Sequence, residues 1–189
     1  IAGSAAEYLQ KRGTAPAGEP SGHPDAICSF RKGMFCLAGR SEPALSRALE
    51  YFSAAASQDR NMARAQAGAA MSHALLAYHG FAVPAERRPL AAQALALAQA
   101  AGARDPEVET AAGVVALLFD WDWDAAEASL RRAAAAEAGC VAAREWLGVL
   151  LACRGRFDHA ATELAAAYRL DPASVARGGM VGHVLLFRG

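Results

Sequence analysis

Small and large apolar residues follow one another along this chain in a spacing that is typical of amphipathic α-helices. Four segments carry a small, a large and a small residue at positions i, i+4 and i+7, as Ala126, Leu130 and Ala133 do. These three side chains share one helix face. Strand-type alternation is nearly absent and alanine, the strongest helix former, is abundant, so the pattern predicts an all-α chain. The helices are expected at approximately 25–38, 43–57, 61–78, 87–101, 106–119, 123–137, 141–154, 158–169 and 174–188.

Five glycines mark a repeat along the chain. They occupy positions 33, 68, 113, 148 and 182, with spacings of 35, 45, 35 and 34 residues. Each lies inside an expected helix, where glycine costs about 1 kcal/mol relative to alanine. A cost repeated at this interval indicates that a neighbouring helix approaches each glycine closely. The repeat therefore predicts an α-solenoid of about four stacked antiparallel helix pairs, followed by one unpaired C-terminal helix.

The chain divides into two parts of different composition. The segment before the first helix is rich in proline and glycine, which neither continue a helix nor bury surface, so residues 1–23 are interpreted as a linker. The solenoid is expected to cover residues 24–189. Its repeats are placed at approximately 24–59, 60–104, 105–139 and 140–173, with a partial repeat at 174–189. Helix starts are expected where Asp105 precedes Pro106 and where Asp124 and Glu127 have capping-box spacing.

The fourth repeat resembles the tetratricopeptide repeat (TPR) family, whose unit is a helix–turn–helix. The resemblance is sharpest in VAAREWLGVLLACRGRFDHAATELAAAYRLDP. Within that segment the family pattern is matched by Leu147, Gly148, Gly155, Phe157, Ala160, Leu164, Ala167 and Pro172. It implies an α-solenoid that recognises protein partners and performs no chemistry of its own.

A narrower resemblance concerns the segments ALEYF, LLAYHGFAVPAERRP and LLFDWDWDAAE. They look like the repeat region that follows winged-helix, kinase or cyclase domains in bacterial signalling proteins. This likeness implies a protein-interaction or sensory module of a larger signalling or transcription-regulating protein. The alternative is a structural scaffold or assembly factor in an envelope or secretion complex. A cytoplasmic location is favoured, and the periplasmic side of a membrane-anchored parent is left open.

Charge and chemistry narrow the possible functions. Nineteen basic and nineteen acidic residues give a formal net charge of zero, which disfavours nucleic-acid binding. No apolar run is long enough to span a membrane. Asp120, Asp122 and Asp124 lack the partners of a calcium loop, and no histidine or cysteine cluster has metal-ligand spacing. No motif of nucleophilic catalysis or cofactor binding occurs. The sequence therefore predicts a non-enzyme without cofactor or metal, and the four cysteines are interpreted as small buried fillers.

The TPR resemblance also implies a recognition surface, because first helices of such arrays line a concave groove. Its ligand-facing positions correspond here to Phe30, Met34, Leu37, Ser72, His73, Thr110, Val114, Leu117, Leu118, Glu145, Val149, His183 and Phe187. Most are small or apolar, and the basic set with which some family members clamp a carboxylate tail is missing. An apolar protein or peptide partner is therefore expected. The alternative, a groove filled by the chain's own linker or by another subunit, stays open, as does a homo-oligomer formed through the C-terminal helix.

Overall fold

The computed structural model of the chain describes residues 23–136 and 140–172, together with Gly182, Val184 and Leu186. Within these residues it contains helices and turns but no strand, so the all-α prediction is confirmed. Most of the expected linker and of the expected last helix, including His183 and Phe187, lies outside the described residues. The helices are α1 (Pro24–Ala38), α2 (Glu42–Gln58), α3 (Ala63–Tyr78), α4 (Pro84–Gly102), α5 (Pro106–Val115), α6 (Trp123–Ala136), α7 (Val141–Cys153) and α8 (Phe157–Leu170).

Consecutive helices pack as pairs, α1 with α2, α3 with α4, α5 with α6 and α7 with α8, which we call units 1 to 4. The first helices α1, α3, α5 and α7 also pack on one another in that order, and each second helix packs on the first helix of the next unit. This arrangement is the stacking of a solenoid. The first helices form an inner layer, and we call the surface that this layer turns away from the second helices the inner side.

Close helix approach explains the repeated glycines. A Cβ atom at Gly113 would lie 2.6 Å from Leu130, and one at Gly148 would lie 2.6 Å from Leu164. Gly33 and Gly68 both face Phe52, whose ring lies between the first two units. The close approach predicted at these four positions is confirmed. At Gly182 no described atom lies within 4 Å of the Cβ position and most neighbouring residues lie outside the described ones, so close approach there stays a prediction.

Capping residues set the starts of several helices. Asp105 accepts a hydrogen bond from the backbone N–H of Glu107 at 2.9 Å, as predicted. At α6 the carboxylate of Asp122, not that of Asp124, accepts from the N–H of Ala125 at 3.0 Å, so the predicted capping box is wrong. Helix α4 begins at Pro84 rather than at residue 87, because the fixed φ of proline suits a first helical turn.

One extra residue enters unit 3 through a π-helical turn. Helix α5 ends at Val115 and continues as the π turn Ala116–Asp120. Leu130 follows Gly113 by 17 residues, whereas the corresponding contact in unit 4 has a spacing of 16. The π turn accommodates the additional residue, so α5 packs against α6 through the same glycine–leucine contact that joins α7 and α8.

Each unit makes its turn between the two helices with one residue in the left-handed region. Units 2 and 4 use Gly80 (φ 75°) and Gly155 (φ 72°), which adopt this conformation without a steric cost. Units 1 and 3 use Arg40 (φ 49°) and Trp121 (φ 55°), which do so at a cost. Residues in this strained conformation cluster at functional sites, so the turns of units 1 and 3 are candidate positions for a functional site.

Candidate functional site

One apolar cluster runs through all four units. Leu45, Leu75, Val114 and Trp146 come from units 1, 2, 3 and 4 and belong to one apolar cluster, in which none is more than 3% exposed. Val184 is buried against the same cluster. The four units therefore share one core within the described residues.

Burial separates the predicted groove residues into three groups. The first group is buried and comprises Phe30, Ser72, Thr110, Val114, Leu117 and Glu145. The second group is partly exposed and comprises Met34, Leu37, His73, Leu118 and Val149. His183 and Phe187 form the third group, which lies outside the described residues. Only the second group has surface that a partner could touch.

Two buried polar members of this set, Ser72 and Thr110, are satisfied locally. Ser72 donates its hydroxyl to the carbonyl of Gly68 at 2.8 Å, and Thr110 donates to the carbonyl of Pro106 at 2.7 Å. Both are hydrogen bonds to the preceding helical turn. Neither side chain is therefore arranged to recognise a ligand.

Two contacts join units that are not neighbours in the array. Arg40, in the turn of unit 1, donates to the carboxylate of Glu145 in α7 of unit 4, and Glu145 is only 1% exposed. The ring of Tyr78, at the end of α3 in unit 2, meets the ring of Trp146 edge-on at 5.6 Å between centroids. Both contacts cross the inner side, because they join the inner helix α7 to units 1 and 2 past the units that lie between them.

His73 contacts the second helix of its own unit. Its Nδ1 lies 3.4 Å from the guanidinium of Arg87 in α4. Burial and the positive charge of Arg87 together lower the pKa of His73 to about 4. The ring is therefore neutral at physiological pH and accepts a hydrogen bond from Arg87, and the expectation that His73 lines the groove stays a prediction.

Exposed aromatic residues gather at the turns of units 2 and 3. Tyr78 contacts His79 at 5.1 Å between ring centroids, and His79 in turn contacts Phe81 at 5.8 Å. Tyr78, Phe81 and the neighbouring Val83 are all exposed. Burial and the nearby charge of Arg40 lower the pKa of His79, so this ring is also neutral between its aromatic neighbours.

The turn of unit 3 brings a further aromatic residue to the same edge. Arg88, in the first turns of α4, donates to Asp120 at 2.9 Å, which holds the two turns side by side. Trp121 follows Asp120 and is 74% exposed. We call the surface formed by Tyr78, Phe81, Val83 and Trp121 the aromatic edge. An exposed cluster of this kind on a folded domain marks an interaction site more often than a single exposed residue does.

A second concavity lies on the outer face between α2 and α4. It has a volume of about 560 Å³ and is floored by α3. Its lining is mostly small or polar, and Leu97 is the large apolar side chain exposed in it. None of its described polar groups is a buried atom without a hydrogen-bond partner. The cleft has the shape of a binding site without a group that would select a ligand.

The cysteines and acidic residues do not form a reactive or metal-binding site in the described part of the chain. No group of three histidine, cysteine or acidic residues is placed to hold a metal ion there. Cys28 and Cys153 are exposed, so the interpretation of all four cysteines as buried fillers is wrong for these two. No helix within residues 23–136 and 140–172 has the length and apolarity needed to cross a membrane.

The residues that sequence reasoning missed are Arg40, Tyr78, Phe81 and Trp121. A signal for two of them was present, because Arg40 and Trp121 occupy the turn position that glycine holds in units 2 and 4. A large side chain at a place that favours glycine indicates a role for that side chain. Tyr78 and Phe81 carry no such signal, since exposed aromatics near a turn are common.

Comparison with known proteins shows the fold. TTC0263, a thermophilic TPR protein of Thermus thermophilus, superposes with a TM-score of 0.66 at 18% identity, over 96% of this chain and 87% of that chain. The same fold also appears in MamA (TM-score 0.51, 17% identity, 79% of this chain and 82% of that chain). MamA from Desulfovibrio magneticus RS-1 gives a TM-score of 0.50 at 16% identity, over 89% and 88%. No protein-family profile matches the sequence, and no curated protein matches it. The chain therefore has the TPR fold, an all-α helical-repeat solenoid.

Proposed function

We propose that this chain is a non-catalytic protein-interaction module and that its partner binds the aromatic edge. The observation that carries the proposal is the exposed indole of Trp121, which is held in a left-handed turn directly after Asp120, the residue that pairs with Arg88 of α4. Tryptophan and tyrosine are the residues most enriched at interface hot spots. The TPR fold supports the proposal, because solenoids present extended surfaces and no chemistry of their own.

The partner surface is expected to be apolar. Charged groups beside the edge already neutralise one another, as Arg88 does with Asp120 and Arg154 does with Asp124. A charged group on the partner would therefore gain little electrostatic stabilisation there, whereas an apolar segment of the partner would cover the exposed rings. Binding should change little between about 50 and 200 mM salt.

The place of this module in a larger protein is a finer proposal. The resemblance of ALEYF, LLAYHGFAVPAERRP and LLFDWDWDAAE to the repeat region of bacterial signalling proteins supports a role in a bacterial signalling or transcription-regulating protein. The alternative is a scaffold in an envelope or secretion complex. A winged-helix, kinase or cyclase domain encoded in frame with this chain would favour the first role. Its absence from a fully sequenced reading frame would favour the second.

Selection from a random-peptide library displayed on phage tests the binding proposal. We expect enriched peptides to be apolar and to lose binding to the variants Phe81→Asp and Val83→Asp. Leu97→Asp is the matched control, because Leu97 is 51% exposed and Val83 is 54% exposed, yet Leu97 lies in the outer cleft. Peptides that bind all three variants equally, or a selection that enriches nothing, would contradict the proposal.

A further inference from the structure

The ion pair between Arg40 and Glu145 joins the first unit of the array to the fourth. The two residues are 105 positions apart in the chain, and two complete units lie between them. In a solenoid each unit ordinarily contacts only its neighbours. This pair therefore constrains the curvature of the whole array rather than the structure of one unit.

The surroundings of the pair indicate a specific closure rather than a chance surface contact. Glu145 is 1% exposed and Arg40 is 25% exposed at the side chain, so the pair is mostly desolvated. Breaking a buried ion pair of this kind is strongly destabilising. Arg40 reaches it from a left-handed backbone that a residue with a side chain adopts at a cost.

The closure also supports the aromatic edge. Trp146, the residue after Glu145, meets Tyr78 edge-on, and Tyr78 leads through His79 to Phe81. Moving α7 away from the turn of unit 1 would withdraw Trp146 from behind Tyr78. The position of the exposed rings thus depends on whether unit 1 and unit 4 are held together.

We propose that Arg40 and Glu145 form a latch that closes unit 1 onto unit 4, and that only the closed array assembles the aromatic edge for its partner. The second half of this inference rests on the proposed function. By linkage, a partner that binds the closed form stabilises the latch, and loss of the latch lowers the affinity for the partner.

Distance measurements between spin labels test the latch without any partner. The exposed thiols of Cys28 in unit 1 and Cys153 in unit 4 carry the labels, in a background with Cys36→Ser and Cys140→Ser. We expect Arg40→Gln and Glu145→Gln to make the distance distribution about two-fold wider, because the units then move independently. The exchanged pair Arg40→Glu with Glu145→Arg should narrow it again.

The matched control removes an ion pair of similar chemistry inside a single unit. Arg144 donates to Glu163 at 2.9 Å between α7 and α8, so Arg144→Gln should leave the distribution between units 1 and 4 unchanged. If Arg40→Gln fails to fold by circular dichroism, Arg40→Lys replaces it, since lysine keeps the charge but not the forked geometry. An unbroadened distribution in the folded latch variants would overturn the latch.

The same variants test the coupling with a peptide selected on the wild-type chain. We expect Arg40→Gln to lower the affinity for that peptide about five-fold or more, and Arg144→Gln to leave the affinity unchanged. Equal affinity for wild type and Arg40→Gln, with a broadened distance distribution, would overturn the coupling. A library that yields no peptide overturns the proposed function and the coupling with it, whereas the distance measurement still decides the latch.

Discussion

Trp146 and Trp121 are the same residue type in two opposite settings. Trp146 lies on the inner side, is 3% exposed and packs against Tyr78 from another unit. Trp121 lies at the turn of unit 3, is 74% exposed and follows a π turn. The inner side of this array therefore supplies stability, and its turns supply the surface that a partner could use.

The comparison teaches that a repeat position does not determine a role. Arrays of helix pairs are usually considered to bind on their inner side, because that side is long and concave. Here contacts between non-neighbouring units cross the inner side. The exposed aromatic side chains lie instead at the aromatic edge, beside the turns that connect the two helices of a unit. The following experiments test this division between a stabilising interior and a recognition edge.

The largest expected effect is the loss of the buried tryptophan. Trp146→Ala should lower the free energy of unfolding by about 3–5 kcal/mol, because it removes a ring packed against several units and leaves a cavity. Urea unfolding followed by circular dichroism measures it. Trp121→Phe is the control, and its unfolding free energy should stay within about 0.5 kcal/mol of wild type. Similar losses in both variants would remove the distinction between interior and edge.

Overpacking a helix contact should be the next largest effect. In Gly148→Leu the new side chain would meet Leu164 and the carbonyl of Ala160, which lies 3.2 Å from the Cβ position. We expect a loss of about 1–3 kcal/mol, since backbone cannot give way as a flexible side chain can. The same urea experiment applies. A variant as stable as wild type would show that α7 and α8 separate more easily than their packing indicates.

Exchanging the turn residues should produce smaller effects of opposite sign. Gly80→Ala places a Cβ on a left-handed backbone and should lower the unfolding free energy by about 1 kcal/mol, although no atom crowds the site. Trp121→Gly relieves the same strain and should not destabilise the chain, while it abolishes peptide binding at the aromatic edge. A Trp121→Gly variant that unfolds more easily would show that the indole stabilises the fold.

The smallest effect concerns pH. The pKa of His73 is lowered from 6.5 to about 4 in the folded chain. Between these two pH values the unfolded chain therefore binds more protons than the folded chain does. Stability should therefore fall as pH decreases through this window, and His79, whose pKa is also lowered, acts in the same direction. Urea midpoints of His73→Gln should vary less with pH than those of wild type. An identical pH dependence would mean that His73 is solvated in the folded chain.

The sequence predicts most of the fold because its signals are local. Gly113 and Gly148, the small–large–small faces opposite them and the caps at Asp105 and Pro106 all report contacts within one unit or with the next. Helix periodicity and capping rules apply at that range. The start of α4 and the cap at Asp122 were misplaced by a few residues, since several neighbouring residues could begin each helix.

The candidate site is less predictable because it depends on the curvature of the array. Whether Val114 lines an open groove or a filled core is decided by the rotation of each unit on the previous one, and that rotation is the sum of many side-chain contacts. The pairing of Arg40 with Glu145 follows from the same rotation and leaves no trace in the spacing of either residue.

The π turn at Ala116–Asp120 has a consequence for how such arrays change over generations. A single inserted codon in an α-helix rotates everything after it by about 100°, which would misalign α6 with its neighbours. The π turn confines that rotation to five residues. The additional residue is accommodated just before Trp121, in the turn between the two helices of unit 3. A gene for a repeat protein can thereby gain a new surface residue in one mutational step while the stacking of its units is inherited intact.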